Sequence, residues 1–384
     1  MSKDNLGFLL LCLYDISYNL QKAMGCVMNK WKLKCKLWRD KHSRILKNKK
    51  LSLSQHKPHY TIYENGNKKV IIEVPKIFSF IKNAEDTMMF IENFKRIVDE
   101  NKERTHIHVN SLFVKEVTVD ALIYLLAAID NSKEFKQHIY SGSFPKNKAP
   151  KKVYIDSGFT KYVQTYTTQN SQIPKSTRKM KIERGMKNDA RVIKDICDFV
   201  RQSLNFTSIN STRGLYTMLV ELLSNSVLHA YEPKSESFLK GKWYIYAEHS
   251  QDCVKIVFAD TGRGIPETVR KNFSEKVKSV INSILPMREN LYDGQLIKSA
   301  LLGDFRTSTN EKHRGNGLDT VRRIVMTDKI RGFEVISGHG KCSIVDAGSA
   351  CVPEKELRVQ GFLHEMYGTL YVFDIYREDV LWEK

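Results

Sequence analysis

Apolar positions along residues 83–101 fall at Met88, Ile91, Phe94, Ile97 and Val98, the three- and four-residue spacing of a helix with one buried face. "VTVDALIYLLAAID" (117–130) is apolar nearly throughout and predicts a second, more deeply buried helix. Around them, "KVIIEVP" (69–75) and "THIHVN" (105–110) read as strands, and "KKVYIDSGF" (151–159) as a further strand and turn. Strands alternating with helices predict a small α/β domain over 59–165. Residues 166–188 are polar and basic without an apolar period, the composition of a linker.

The pattern resumes at 189. Val192, Ile193, Ile196, Val200 and Leu204 form one helical stripe, and "GLYTMLVELLSNSVLHAY" (214–231) predicts a longer helix. "WYIYAEHS" (243–250) and "VKIVFAD" (254–260) read as adjacent antiparallel strands. A helical and loop stretch spans 266–316, a helix follows over 317–327, and "FEVIS", "KCSIVDA" and "GTLYVFDIY" supply more strands. The second domain is thus expected over 189–384.

Residues 1–58 stand apart. Their apolar run, 7–14, ends at Asp15, well short of the roughly 20 residues of a membrane span. Residues 30–50 hold ten Lys or Arg and one acid, with Trp31 and Trp38 interleaved. This basic extension, 22–50 above all, is a candidate polyanion contact for nucleic acid or an acidic membrane; a solvated arm has the same composition. The whole chain carries 62 Lys and Arg against 43 Asp and Glu, a formal charge of +19, which favours an anionic partner without choosing one. Seven cysteines without a Cys-x-x-Cys pair argue against a disulfide framework or structural zinc, and a cytoplasmic location is expected.

The chemistry concentrates after residue 214. Glu221, Asn225 and His229 are spaced four apart, on one helical face: a carboxylate able to orient water, an amide oxygen able to ligate a hard cation, and an imidazole. "VFADTGRGIPETV" ends a strand at Asp260 and follows it with Gly262 and Gly264. "KHRGNGLDTV" puts Arg314, Gly315 and Gly317 before a helix whose N–H groups can meet an anion. No G-x-x-x-x-G-K-[ST] run occurs, so a P-loop is not supported, and "HEMYG" lacks the second histidine of a zinc protease motif.

Taken in order, Glu-x-x-x-Asn-x-x-x-His on a helix, Asp-x-Gly-x-Gly after a strand, Gly-x-Gly-Leu opening a helix and Gly368-Thr369 on a last strand resemble the GHKL ATPases, a group that includes gyrase, histidine kinases and anti-sigma serine kinases. The resemblance implies an α/β fold, a two-layer sandwich with a mixed sheet and helices on one face, and an ATP·Mg²⁺ site. Within it Glu221 would activate water, Asn225 would ligate Mg²⁺, Asp260 and Thr369 would hold adenine, with Gly264 allowing close approach, and Arg314, Gly315 and Gly317 would cradle phosphate. "HIHVNSLFVKEVTVDALIYLLAAID" and "YIDSGFTKYV" resemble the STAS domains of anti-sigma antagonists. The pair implies a bacterial signalling protein with a regulatory protein partner, Ser111 and Thr118 lying where a phospho-acceptor would, and homo-oligomerisation remains open. Three activities follow: an ATPase switch, a serine/threonine kinase of anti-sigma type, or an ATP-gated nucleic-acid-associated factor.

Overall fold

The structure, a computed structural model, describes residues 59–64, 67–101, 104–131, 138–163, 179–228, 242–284, 291–305, 317–327, 330–346 and 355–377. Nearly all of them belong to one unit, Pro58–Ile281 with Asn290–Lys384. The described residues open with a hairpin, β1 (His59–Glu64) and β2 (Asn67–Glu73), followed by a short strand β3 (Ile77–Phe78) and helix α1 (Ala84–Glu100). Strand β4 (His106–Asn110), the short β5 (Glu116–Val117) that pairs with β3, helix α2 (Val119–Asn131) and strand β6 (Ile139–Ser143) come next. The first sheet has the order β1-β2-β4-β6; β1 and β2 pair antiparallel and the other pairs are parallel.

Helix α1 buries Met88, Ile91, Phe94, Ile97 and Val98, the stripe its spacing predicts, and carries Glu85 and Asp86 in the first turn, where the helix dipole favours anions. Helix α2 is buried at every position from Ala121 to Ile129, which requires packing partners all round. The strand expected at 151–159 is instead helical: α3 (Lys148–Asp156) and the single turn α4 (Phe159–Tyr162). Pro150 and Tyr154, four apart, are its buried residues, while Lys151 and Lys152 face solvent. Its place in the sheet is taken by β6, whose sequence IYSGS has almost no apolar signal; pairing with β4 supplies what the side chains do not.

The second sheet comprises β7 (Glu183–Gly185), β8 (Trp243–Ser250), β9 (Cys253–Asp260), β10 (Ile330–Asp346) and β11 (Lys355–Tyr376), in the order β10-β11-β9-β8-β7. All its neighbours pair antiparallel, so the mixed pairing expected here occurs in the first sheet. Strand β7 lies in the segment read as a linker: Glu183, Arg184 and Gly185 pair with Ile245, Tyr244 and Trp243. "FEVIS" and "KCSIVDA" are one strand, β10, whose register breaks between Ser337 and Gly340. Among the described residues, six longer helices accompany this sheet: α5 (Ala190–Ser203), α6 (Arg213–Leu228), α7 (Ile265–Asn272), α8 (Ser274–Ile284), α9 (Tyr292–Leu302) and α10 (Gly317–Thr327).

Side chains alternate across the sheet with period two. Trp243, Ile245 and Phe258 join the core with Ile196, Leu219, Leu296 and Val321 of the helices. Tyr244, Tyr246, Val257, Leu370 and Val372 point the other way, into a core shared with Phe80, Leu122 and Leu126. The far face of the sheet is therefore not open: α1 and α2 cover it. No helix among the described residues is long and apolar enough to cross a membrane.

Candidate functional site

Two groups of the predicted residues come together, one at the end of β9 and one between α6 and α10. At the first, Asp260 ends β9 with Trp243 of β8 on one side and Thr369 of β11 on the other. Asp260 is 8% exposed and Thr369 3%. The Asp260 carboxylate accepts a hydrogen bond from Gly262 N at 2.8 Å and two more from Thr369, through its hydroxyl and its backbone N–H. Burial pushes its pKa up to about 6; these three bonds hold it back from rising further. It is a carboxylate in a dry corner of the sheet.

The turn after Asp260 is closed by Ser337, which the sequence does not single out. Its hydroxyl accepts from Ile265 N at 3.0 Å and donates to Gly368 O at 2.6 Å. Gly264 and Gly368 both have positive φ, 82° and 77°. A Cβ on Gly264 would lie 2.5 Å from Ser337 Oγ, and one on Gly368 would lie 2.0 Å from Asp260 O. Gly264 is thus free of a side chain because protein packs there, a reason other than the approach of a flat ring. Pro266 follows in the first turn of α7, where its missing N–H costs no helix bond.

The second group lies on α6. Leu215, Met218, Leu219, Leu222 and Leu223 are buried, and Glu221 and Asn225, one turn apart, are half-buried beside them. Both meet the first residue of α10. A Cβ on Gly317 would lie 2.8 Å from Glu221 Oε2 and 3.1 Å from Asn225 Nδ2. The carboxylate, the amide and a helix N-terminus therefore converge on one point. Asp319, in the first turn of α10, is held by Arg322 at 2.8 Å.

His229, Arg314 and Gly315 lie outside the described residues, as does the basic stretch 22–50. Ser111 is 2% exposed and its hydroxyl is 3.1 Å from Tyr154 Oη. The Thr118 hydroxyl oxygen is likewise shielded from solvent. Neither suits a phospho-acceptor in the folded protein. Among the described residues no three His, Cys, Asp or Glu side chains gather as metal ligands.

Residues 210–349 match the family described as histidine kinase-, DNA gyrase B- and HSP90-like ATPases. This segment is a GHKL-type ATPase domain. The match spans Glu221, Asn225, Asp260, Gly262, Gly264 and Gly317 and stops before β11. The GHKL domain nevertheless depends on β11, because Thr369 is the register partner of Asp260. GHKL domains bind ATP, usually with Mg²⁺, and that class of ligand is what the domain implies here. No curated protein matches the chain.

Proposed function

We propose that this chain is an ATP-binding regulatory protein that binds ATP·Mg²⁺ in its GHKL domain and hydrolyses it to drive a conformational switch. The observation that carries the reading is the meeting of Glu221 and Asn225 at Gly317, where the α10 N–H groups offer donors to phosphate oxygens. Asp260 accepts a hydrogen bond from the adenine amino group, with Thr369 as its partner on β11. Asn225 would offer its amide oxygen to Mg²⁺. Bound Mg²⁺ supplies charge neutralisation on the phosphates. Glu221 orients a water and takes its proton.

Hydrolysis is preferred over transfer to the chain's own first domain because Ser111 is buried and the Thr118 hydroxyl oxygen is shielded from solvent. The regulatory part of the reading draws on α1 and α2, which fill the far face of the ATPase sheet and whose unit we read as STAS-like. The test is titration calorimetry with ATP alongside phosphate release. ATP binding with slow release of free phosphate is expected from the unaltered protein. Binding without any phosphate release would leave a nucleotide-sensing module instead.

A further inference from the structure

Helix α2 of the first domain reaches the base-reading corner from below. Every residue from Ala121 to Ile129 is buried, and Tyr124 is 5% exposed. Its hydroxyl donates to the carbonyl of Tyr367, two residues before Thr369. On β10 the register passes from Ser337 opposite Thr369 directly to Gly338 opposite Met366, so Tyr367 and Gly368 have no counterpart there. On the β9 side the pairing ends at Thr369 with Asp260. Gly368 is buried, so its carbonyl must be satisfied otherwise, and Ser337 Oγ does so. Tyr367 is an exposed residue, and its carbonyl accepts from Tyr124 in a part-buried place.

The same helix grips the other side of the corner. Asp130, at its far end, ion-pairs with Arg184, lies 3.8 Å from Lys242 and accepts from the Tyr244 hydroxyl at 2.9 Å. Lys242 exchanges backbone contacts with the residue after Asp260: Thr261 N donates to Lys242 O at 3.0 Å, and Lys242 N donates to Thr261 Oγ1 at 3.1 Å. Burial, and after it the Asp260 charge, raise the pKa of the Tyr124 hydroxyl well above that of an ordinary tyrosine. Tyr124 is bonded to the segment that carries Asp260's partner.

We propose that Tyr124 is a positioning residue for the adenine-reading pair, Asp260 and Thr369, so that the first domain sets the nucleotide affinity of the second. Tyr124 fixes Tyr367, Ser337 fixes Gly368, and the two together hold the Thr369 hydroxyl on the carboxylate. Docking of α2 and nucleotide binding are then coupled, and the coupling is reciprocal. This rests on the ATP reading given above.

The test is Tyr124→Phe in the full chain, which keeps the ring and removes only the donor. ATP and adenosine affinities should both fall, by the same factor of about two to ten, the worth of one hydrogen bond. Turnover at saturating ATP should stay close to wild type, since Glu221 and Asn225 lie elsewhere. Hydrogen exchange should quicken at 366–370. Saturating ATP should slow exchange in 119–131 of the unaltered protein and do so less in the variant. Asp130→Asn, acting through Lys242, should lower adenosine affinity in the same direction. Unchanged affinities in Tyr124→Phe, or a lower melting temperature with normal affinities, would reduce Tyr124 to interface packing and overturn the proposal. Failure of the unaltered protein to bind ATP is a separate result; it would overturn the ATP reading and this inference with it.

Discussion

Gly317 stands against Glu221 so closely that one methyl group would intrude on the carboxylate: the Cβ would lie 2.8 Å from Oε2. The crowded atom is the end of a flexible side chain, so Gly317→Ala should cost the fold little, the more so because alanine favours a helix. What it should displace is Glu221. Phosphate release should fall by about 10²-fold for a displacement near 1 Å, while adenosine binding, which depends on Asp260, should not change. Calorimetry with adenosine and a phosphate assay on the same sample separate the two.

Glu221 and Asn225 should fail differently. Glu221→Ala should keep ATP affinity and lose turnover by roughly 10²–10⁴-fold, the loss for a missing general base. Asn225→Ala should weaken ATP in the presence of Mg²⁺ and leave adenosine unaffected. If Glu221→Ala hydrolyses ATP at the wild-type rate, the role given to this carboxylate is wrong.

Burying the Asp260 carboxylate costs stability at neutral pH. Its pKa is about 6 in the folded protein against 3.8 for an ordinary aspartate, because burial disfavours the charge. Between about pH 4 and 6 the folded protein holds a proton there that the unfolded chain has released, so this group's contribution to stability declines as pH rises through that window. The full shift corresponds to a cost on the order of 3 kcal/mol at neutral pH. Asp260→Asn should therefore melt higher than wild type at pH 7.5, by about 1–3 kcal/mol in unfolding free energy, and the gain should shrink towards pH 4. The same variant should bind ATP more weakly, by about 1–3 kcal/mol, because its amide can turn a donor towards the adenine amino group. Equal stability of the two proteins at all pH values would contradict the raised pKa.

Ser337 is fully buried and bridges Ile265 N to Gly368 O. Ser337→Ala leaves a backbone donor and a backbone acceptor without that partner, at about 1–3 kcal/mol for each group left unsatisfied. Chemical denaturation should register the loss. Adenosine affinity should drop with it, since Gly368 precedes Thr369.

The fate of labelled γ-phosphate separates hydrolysis from self-phosphorylation. The label is expected in free phosphate. Ser111→Ala and Thr118→Ala should leave its release unchanged. Stable label on the first domain that disappears in either variant would favour the kinase.

Much of the second domain was legible along the chain. The helical stripes of α5 and α6 and the paired runs of β8 and β9 are local patterns, and local periodicity follows from backbone geometry. The order of Glu221, Asn225, Asp260 and Gly317 pointed to the same family that the match over 210–349 supports. The first domain was harder. Strand β6 has too few apolar residues to announce itself, and the short apolar run of "KKVYID" reads as a strand although the packing of Pro150 and Tyr154 makes it helical. The edge strand β7 is three residues long, and a polar segment of that length has no period to detect.

By itself, then, the sequence determined which segments are amphipathic, the order of Glu221, Asn225, Asp260 and Gly317 that resembles the GHKL ATPases, and that no G-x-x-x-x-G-K-[ST] run occurs. Only the tertiary structure decided that Asp260 is dry, that Thr369 reaches it from a strand more than a hundred residues away, and that Gly264 is small for the sake of Ser337 and Gly368. It alone decided that Tyr124 bonds to Tyr367, 243 positions further on. The physical reason is the range of the forces concerned. Periodicity and capping act within a few residues of chain. Burial, a raised pKa and the satisfaction of an orphan carbonyl depend on what the fold brings near, and no local pattern in the sequence records it.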